Sequence, residues 1–130
     1  MKWGGRFVIS FESFIMEDGM PIYLQIILFV KRGISAGVIA DGDELPSRRV
    51  LSALLGVNPN TVQKAYRMLE EEGLIQSHSG AKSYVVLNGV VKERIRSELL
   101  ESDARSVIHS LRQMGLTKED AVALIEKYWE

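Results

Sequence analysis

Residues 45–73 read LPSRRVLSALLGVNPNTVQKAYRMLEEEG, and this stretch predicts two short helices meeting at Gly56-Val57-Asn58. Ser47 can cap a helix over Arg48 to Leu55, because its hydroxyl accepts from a first-turn amide that has no helical partner. Val50, Leu51, Leu54 and Leu55 supply that helix's apolar face, and Gly56 ends it. Asn58 caps the next helix. Pro59 takes its first position, where a missing N–H costs nothing, and the helix runs to about Glu72. Val62, Ala65, Tyr66 and Leu69 face inward; Asn60, Thr61, Gln63, Lys64 and Arg67 are left on the outer face or its edges. From Leu45 to Leu69 there are four basic residues, Arg48, Arg49, Lys64 and Arg67, and no acidic one. The acids flank the stretch: Asp41, Asp43 and Glu44 before it, Glu70 to Glu72 after it. Such a pair of helices matches a helix-turn-helix that meets phosphates and the major groove of a duplex.

Downstream, Leu74 to Ser77 and Ser83 to Leu87 read as two short strands, with His78-Ser79-Gly80-Ala81-Lys82 as the hairpin tip. A helix-turn-helix followed by such a hairpin is a winged helix. Upstream, Phe7 to Phe11 alternates Phe7, Ile9 and Phe11 inward against Val8 and Ser10, as a short strand does. Glu17-Asp18-Gly19 breaks it, and Pro21 opens a helix from Ile22 to Ala36. Ile26, Phe29, Val30 and Gly33 form one stripe of this helix. Leu24, Ile27, Leu28 and Ile34 make most of the remaining circumference apolar, so it needs cover on two sides. The helix-turn-helix can supply one; the other calls for a further layer, a partner subunit being one candidate. Gly37 stops the helix, Val38 and Ile39 suggest a brief strand, and Asp41-Gly42-Asp43 a turn. The acids of that turn are expected to be solvated rather than to hold a cation, since no second cluster completes a coordination shell.

After Gly89 the sequence turns helical, with Val91, Ile95, Leu99, Val107, Ile108, Leu111 and Met114 in a long imperfect stripe ended by Gly115. Thr117-Lys118-Glu119-Asp120 resembles a capping box with Asp in place of Glu, and Leu116 and Ala121 sit where a hydrophobic staple would pack. The last helix carries Val122, Leu124, Ile125, Tyr128 and Trp129. The expected fold is mainly α with a small β-hairpin. Its domains are an N-terminal arm (1–20), a winged helix-turn-helix (21–88) and a two-helix tail (89–130). A tail of about 40 residues has too little core to stand alone. Its stripe must be buried on the first domain or on another copy of the chain. Ile95, Leu99, Val107, Ile108, Leu111, Met114, Leu124, Ile125 and Tyr128 are the expected dimerisation residues.

The totals set bounds. The chain has 130 residues of which 46% are hydrophobic, enough for a core, and its net charge of −1 gives no whole-chain hint of a polyanionic partner. Only the local charge distribution does. No cysteine is present, which removes disulfides and thiolate zinc sites and suits a reducing cytoplasm. No apolar run is long enough to span a membrane, and the N-terminus lacks the long apolar segment and cleavage site of a signal peptide. His78 and His109 are far apart in the chain, no nucleophile–base pair is legible, and His109 stands alone on a helix. An enzyme, a metal site and a cofactor are not expected.

Pro21-Ile22-Tyr23, Gln25-Ile26, Gly37, Gly42-Asp43, Leu45-Pro46-Ser47, Arg49, Leu51, Gly56-Val57, Thr61-Val62, Ala65, Leu69 and Glu72-Gly73-Leu74 together resemble, in order and spacing, the N-terminal domain of GntR-type bacterial transcription regulators. The resemblance covers about Pro21 to Val86. The short two-helix tail resembles the YtrA-like branch, which lacks a large effector-binding domain. The resemblance implies a homodimer on a palindromic, two-fold related operator, usually as a repressor, often of genes for membrane transporters, with the tail helices mediating dimerisation. It carries Arg49 over as a base- or backbone-contacting arginine. One departure lies in the wing, where Lys82 stands in place of the second glycine of the family's Gly-x-Gly tip; a lysine there can add a phosphate contact.

The expected DNA-binding residues are Ser47, Arg48, Arg49, Asn58, Asn60, Thr61, Gln63, Lys64, Arg67, His78, Gly80 and Lys82. Arg48 and Arg49 open the helix that crosses the backbone, and forked guanidinium donors suit phosphate or a guanine edge. The alternative for either is a pair with Asp43 or Glu44. Asn60 can read adenine and Thr61 can touch a thymine methyl. Asn58 is equally explained as a cap alone, and Arg67 as a partner of Glu70 or Glu71. Lys64 suits phosphate better than base. His78 is a wing contact or a solvated tip residue. Tyr66 and Tyr84 are expected in the core or sheet. The competing function is a winged-helix protein-interaction module without DNA binding, which would not need a 45–69 stretch free of acids. An effector, the operator sequence and the target genes are not legible.

Overall fold

The structure, a computed structural model, describes residues 8–78 and 82–130. Phe7 of the expected arm strand and Gly80 of the expected wing tip lie outside the described residues. The elements are α1 (Ile22–Ser35), β1 (Glu44–Leu45), α2 (Arg48–Leu55), α3 (Pro59–Glu71), β2 (Ile75–Ser77), β3 (Ser83–Val85), α4 (Gly89–Gln113) and α5 (Lys118–Tyr128). The strands form one antiparallel sheet in the order β1-β3-β2, with Glu44 opposite Tyr84 and Ile75 opposite Val85. This is a winged helix with a helical C-terminal region. The chain forms two compact units, the first ending at Arg96 and the second spanning Ser97–Glu130.

The local signals act as their chemistry requires. Ser47 Oγ accepts from the Val50 amide at 3.1 Å, and Asn58 Oδ1 accepts from the Asn60 amide at 2.8 Å. Gly56 takes the left-handed conformation (φ 66°) that terminates α2, a geometry that disfavours a side chain. The turn is held from inside by Ser52, whose buried hydroxyl donates to the Val57 carbonyl at 2.6 Å. Ser52→Ala leaves that carbonyl without its partner. It is expected to cost about 1–2 kcal/mol, measured as a lower urea midpoint at unchanged slope.

The core of the first unit gathers Ile26, Val30 and Ile34 of α1 against Val62, Ala65, Tyr66 and Leu69 of α3, with Leu45, Leu51 and Leu74 closing it. Tyr66 lies at its centre, and its hydroxyl donates to the Pro46 carbonyl at 2.7 Å. Burial pushes the Tyr66 phenol well above the usual tyrosine range, and the Arg48 guanidinium opposes this only in part.

Several expectations are corrected. The second apolar side of α1 is covered by the chain's own arm: Ile9 and Phe11 are buried, and Phe11 and Phe14 pack on the Phe29 ring at 4.7 and 5.4 Å between centroids. Among the described residues the arm is not an extended strand; Val8 makes a parallel bridge to Glu44, and the Ile9 amide donates to the Glu44 carbonyl at 2.8 Å. Gln25 anchors the following turn. Its amide nitrogen donates to the carbonyls of Glu17 and Met20, and its oxygen accepts from the Glu17 amide.

Val38 and Ile39 are not a strand. Both amides donate to the Gly33 carbonyl, wrapping the end of α1. Asp43 is not solvated; it is buried, and its Oδ2 accepts from the Ala40 amide at 2.8 Å. Exposed Asp41 instead accepts from the Leu87 amide at 2.8 Å. On α2, Val50 and Leu54 are exposed, and the inward stripe is Arg48, Leu51, Ser52 and Leu55, spaced i, i+3, i+4, i+7.

Ile95 is buried within its own chain. It belongs to the core of the first unit and is unavailable to a partner, a correction to its expected place in a dimer seam. In the second unit Thr117 and Asp120 form the capping box, side chain to backbone in both directions. Val107, Ile108, Met114, Val122, Leu124, Ile125, Tyr128 and Trp129 are all exposed there. An open apolar cleft of about 530 Å³ lies between α4 and α5, lined by Val107, Ile108, Leu111, Val122 and Ile125.

Candidate nucleic-acid interface

The face of α3 opposite its core stripe is where the expected contacts collect. Asn60, Gln63, Lys64 and Arg67 fall at i, i+3, i+4 and i+7, a spacing that sets side chains along one side of a helix. All four are exposed, and Thr61 at the edge is half-buried. The stripe changes sign at its far end, where exposed Glu70 and Glu71 follow. Only its N-terminal part therefore presents amide and cationic donors. Asn60 heads the helix with a side chain not spent on capping, because Asn58 performs the cap.

The cations are held in different ways. Arg67 makes no ion pair with Glu70 or Glu71, and neither Arg67 nor Arg49 has a hydrogen-bond, ion-pair or ring partner among the described residues. Lys64 Nζ sits 4.0 Å from the centre of the Tyr23 ring on α1. The periodicity gave no signal for this contact of Tyr23 with the outer face of α3. Lys64 is exposed while Tyr23 is half-buried; a cation–ring contact so open to solvent contributes only about 0.5–1 kcal/mol, which leaves Lys64 free to exchange the ring for a phosphate.

Arg48 differs from its neighbour. It is half-buried, its guanidinium lies 5.0 Å from the Tyr66 ring centre, and its Nη1 lies 3.5 Å from Ser83 Oγ. The pairing with Asp43 or Glu44 considered from the sequence is replaced by a ring and a hydroxyl. Ser47 is occupied as the α2 cap. On the wing, Lys82 and His78 are exposed, the His78 amide donates to the Lys82 carbonyl at 2.9 Å, and the His78 ring packs edge-on against Tyr84 at 5.1 Å. Tyr84 is half-buried, Tyr66 fully so. Among the described residues no three His, Cys, Asp or Glu side chains gather as a metal-binding set, and no helix is long and apolar enough to cross a membrane.

This arrangement of cap, exposed stripe and wing has counterparts. Residues 22–85 match the family described as bacterial regulatory proteins, gntR family. The HTH-type transcriptional repressor YtrA of Bacillus subtilis is 36% identical over 114 residues, which cover 88% of this chain and 83% of that protein. The chain belongs to the GntR family. A GntR family transcriptional regulator from Listeria monocytogenes aligns with a TM-score of 0.76 at 31% identity, over 86% of this chain and 98% of that one. YtrA from Sulfolobus acidocaldarius, a GntR-family transcription factor, aligns with a TM-score of 0.52 at 32% identity, over 86% of this chain and 90% of that one. An alignment of 114 residues cannot fit within the first 96, so the likeness to the B. subtilis YtrA reaches the tail as well as the winged helix. This GntR protein is YtrA-like, a transcriptional regulator with a helix-turn-helix DNA-binding domain.

Proposed function

We propose that the protein is a homodimeric, sequence-specific repressor that acts in the cytoplasm on a two-fold related operator, of a transporter-type operon. The observation that carries the reading is the α3 stripe of Asn60, Gln63, Lys64 and Arg67, exposed and without a carboxylate in its first two turns. In this reading α3 enters the major groove, with Asn60 and Thr61 at base edges and Gln63 further along. Arg49, Lys64 and Arg67 meet phosphates. Lys82 and His78 bring the wing to the backbone, and Ser47 and Asn58 act first as caps whose helix N-termini face the anionic strand. The repressor assignment is supported by the B. subtilis YtrA, described as a transcriptional repressor. The transporter operon follows the branch resemblance alone. Filter binding of genomic fragments tests the reading: specific capture of a small set of intergenic fragments is expected, and uniform weak retention of all fragments contradicts it.

The dimer is assigned to the tail. Val107, Ile108, Met114, Leu124, Ile125 and Tyr128 are exposed, more apolar surface than one short hairpin ordinarily shows to water. Leu99 and Leu111 are half-buried beside them. The paired substitution Ile108→Glu with Ile125→Glu is expected to convert a dimer to a monomer in sedimentation at micromolar concentration, and to weaken binding to a two-half-site duplex at least tenfold. A wild-type protein that sediments as a monomer contradicts the assignment.

A further inference from the structure

Two adjacent arginines open α2, and the fold places them oppositely. Arg49 is exposed and carries no partner among the described residues. Arg48 lies on the inward stripe with Leu51 and Ser52. Its guanidinium packs 5.0 Å from the Tyr66 ring centre, and Nη1 approaches Ser83 Oγ at 3.5 Å. Ser83 is itself buried, and its Oγ is 3.3 Å from Ser77 Oγ across the hairpin. Tyr66, on α3, returns to the head of α2 through its hydroxyl on the Pro46 carbonyl. One guanidinium thus touches α3 and the first residue of β3 from the first turn of α2.

The Arg48 Nε is buried with no hydrogen-bond partner among the described residues. A buried N–H without an acceptor is unfavourable, so this side chain is held inward against a cost, chiefly by the aromatic face and the packing of its stem. Arg48 is thus half-buried against Tyr66 with Nε closed to solvent, whereas Arg49 beside it is exposed. We propose that Arg48 is a positioning residue that fixes the wing relative to the recognition helix α3, and that it acts on DNA affinity through Lys82 and the wing rather than by touching the duplex. This rests on the DNA-contact reading above and deepens it.

Two measurements on the full chain decide the point. The first needs no DNA. Amide hydrogen exchange of the wing, read at His78 and at Tyr84 opposite Gln76, is expected to quicken roughly five- to tenfold in both Arg48→Gln and Ser83→Ala, and to stay unchanged in Arg49→Gln. The second is a double-mutant cycle on DNA binding. Arg48→Gln and Lys82→Ala are expected to be non-additive, the double variant binding within about twofold of the weaker single one, whereas Arg49→Gln and Lys82→Ala multiply. Ser83→Ala removes the acceptor but keeps the guanidinium, so it carries the test if Arg48→Gln folds poorly. Unchanged wing exchange, or an Arg48→Gln loss that persists undiminished in the Lys82→Ala background, overturns the proposal. A wild-type protein that binds no DNA defeats the interface reading instead, while the exchange measurement still decides whether Arg48 holds the wing.

Discussion

Replacing Lys64 and Arg67 together by alanine is expected to weaken promoter binding about 30-fold at roughly 0.15 M salt, and to flatten the plot of log K against log salt by about 1.8. The figure follows from counterion release: each neutralised phosphate contributes a slope of about 0.9, and two contacts are removed. Both side chains lie on the outer stripe of α3 and neither pairs with a carboxylate among the described residues, so little folded-state stability should be lost with them. The loss should be nearly uniform across sequences, because a phosphate contact carries no base information. Lys64 must give up the Tyr23 ring at 4.0 Å, so the loss at Lys64 should be slightly the smaller of the two. Fluorescence anisotropy over a salt series separates this outcome from a specificity effect. An unchanged slope would place both cations away from the duplex.

The largest stability effect is expected at Tyr66, where substitution by alanine should cost about 3–5 kcal/mol. That is a large share of the roughly 5–15 kcal/mol that holds a domain of this kind together. Tyr66 is fully buried between α1, α2 and α3 and is hydrogen-bonded to the Pro46 carbonyl. Alanine therefore removes a ring, a hydrogen bond and the platform under Arg48 at once. Phenylalanine keeps the ring and strands only the carbonyl, about 1–3 kcal/mol. Chemical denaturation of the three proteins checks the order: wild type, then Tyr66→Phe, then Tyr66→Ala. Equal midpoints for the two variants would mean that the hydroxyl rather than the ring holds the centre of the core.

Much of this architecture is written locally. Ser47, Gly56, Asn58 and Pro59 determine where α2 and α3 begin and end through bonds within a turn of themselves, so sequence alone locates them. The α3 core stripe Val62, Ala65, Tyr66 and Leu69 also follows from a clean helical period. Features that depend on distant partners were not legible. Arg48 and Ser52 are polar and share a face with Leu51. Hydrophobic periodicity assigns that face to Val50 and Leu54 instead, and only the arrival of Tyr66 and Val57 turns the polar pair inward. The cover over α1 comes from an arm whose bridge from Val8 to Glu44 has no sequence signature. Asp43 reads as a turn acid and proves buried because its carboxylate caps the backbone amide of Ala40. On the outer face of α3, Asn60, Gln63 and Arg67 follow from spacing and are exposed; the Tyr23 contact with Lys64 crosses 41 residues of sequence and has no local trace.

The central claim is that the N-terminal half of α3 reads base edges, and selection of binding sites from a random duplex pool by the wild-type and Asn60→Ala proteins tests it most directly. The wild type is expected to select a two-fold related motif. The variant is expected to select the same motif with its preference relaxed at one position in each half-site, a discrimination of about 1–3 kcal/mol lost there. An identical motif of identical sharpness from both proteins would contradict it.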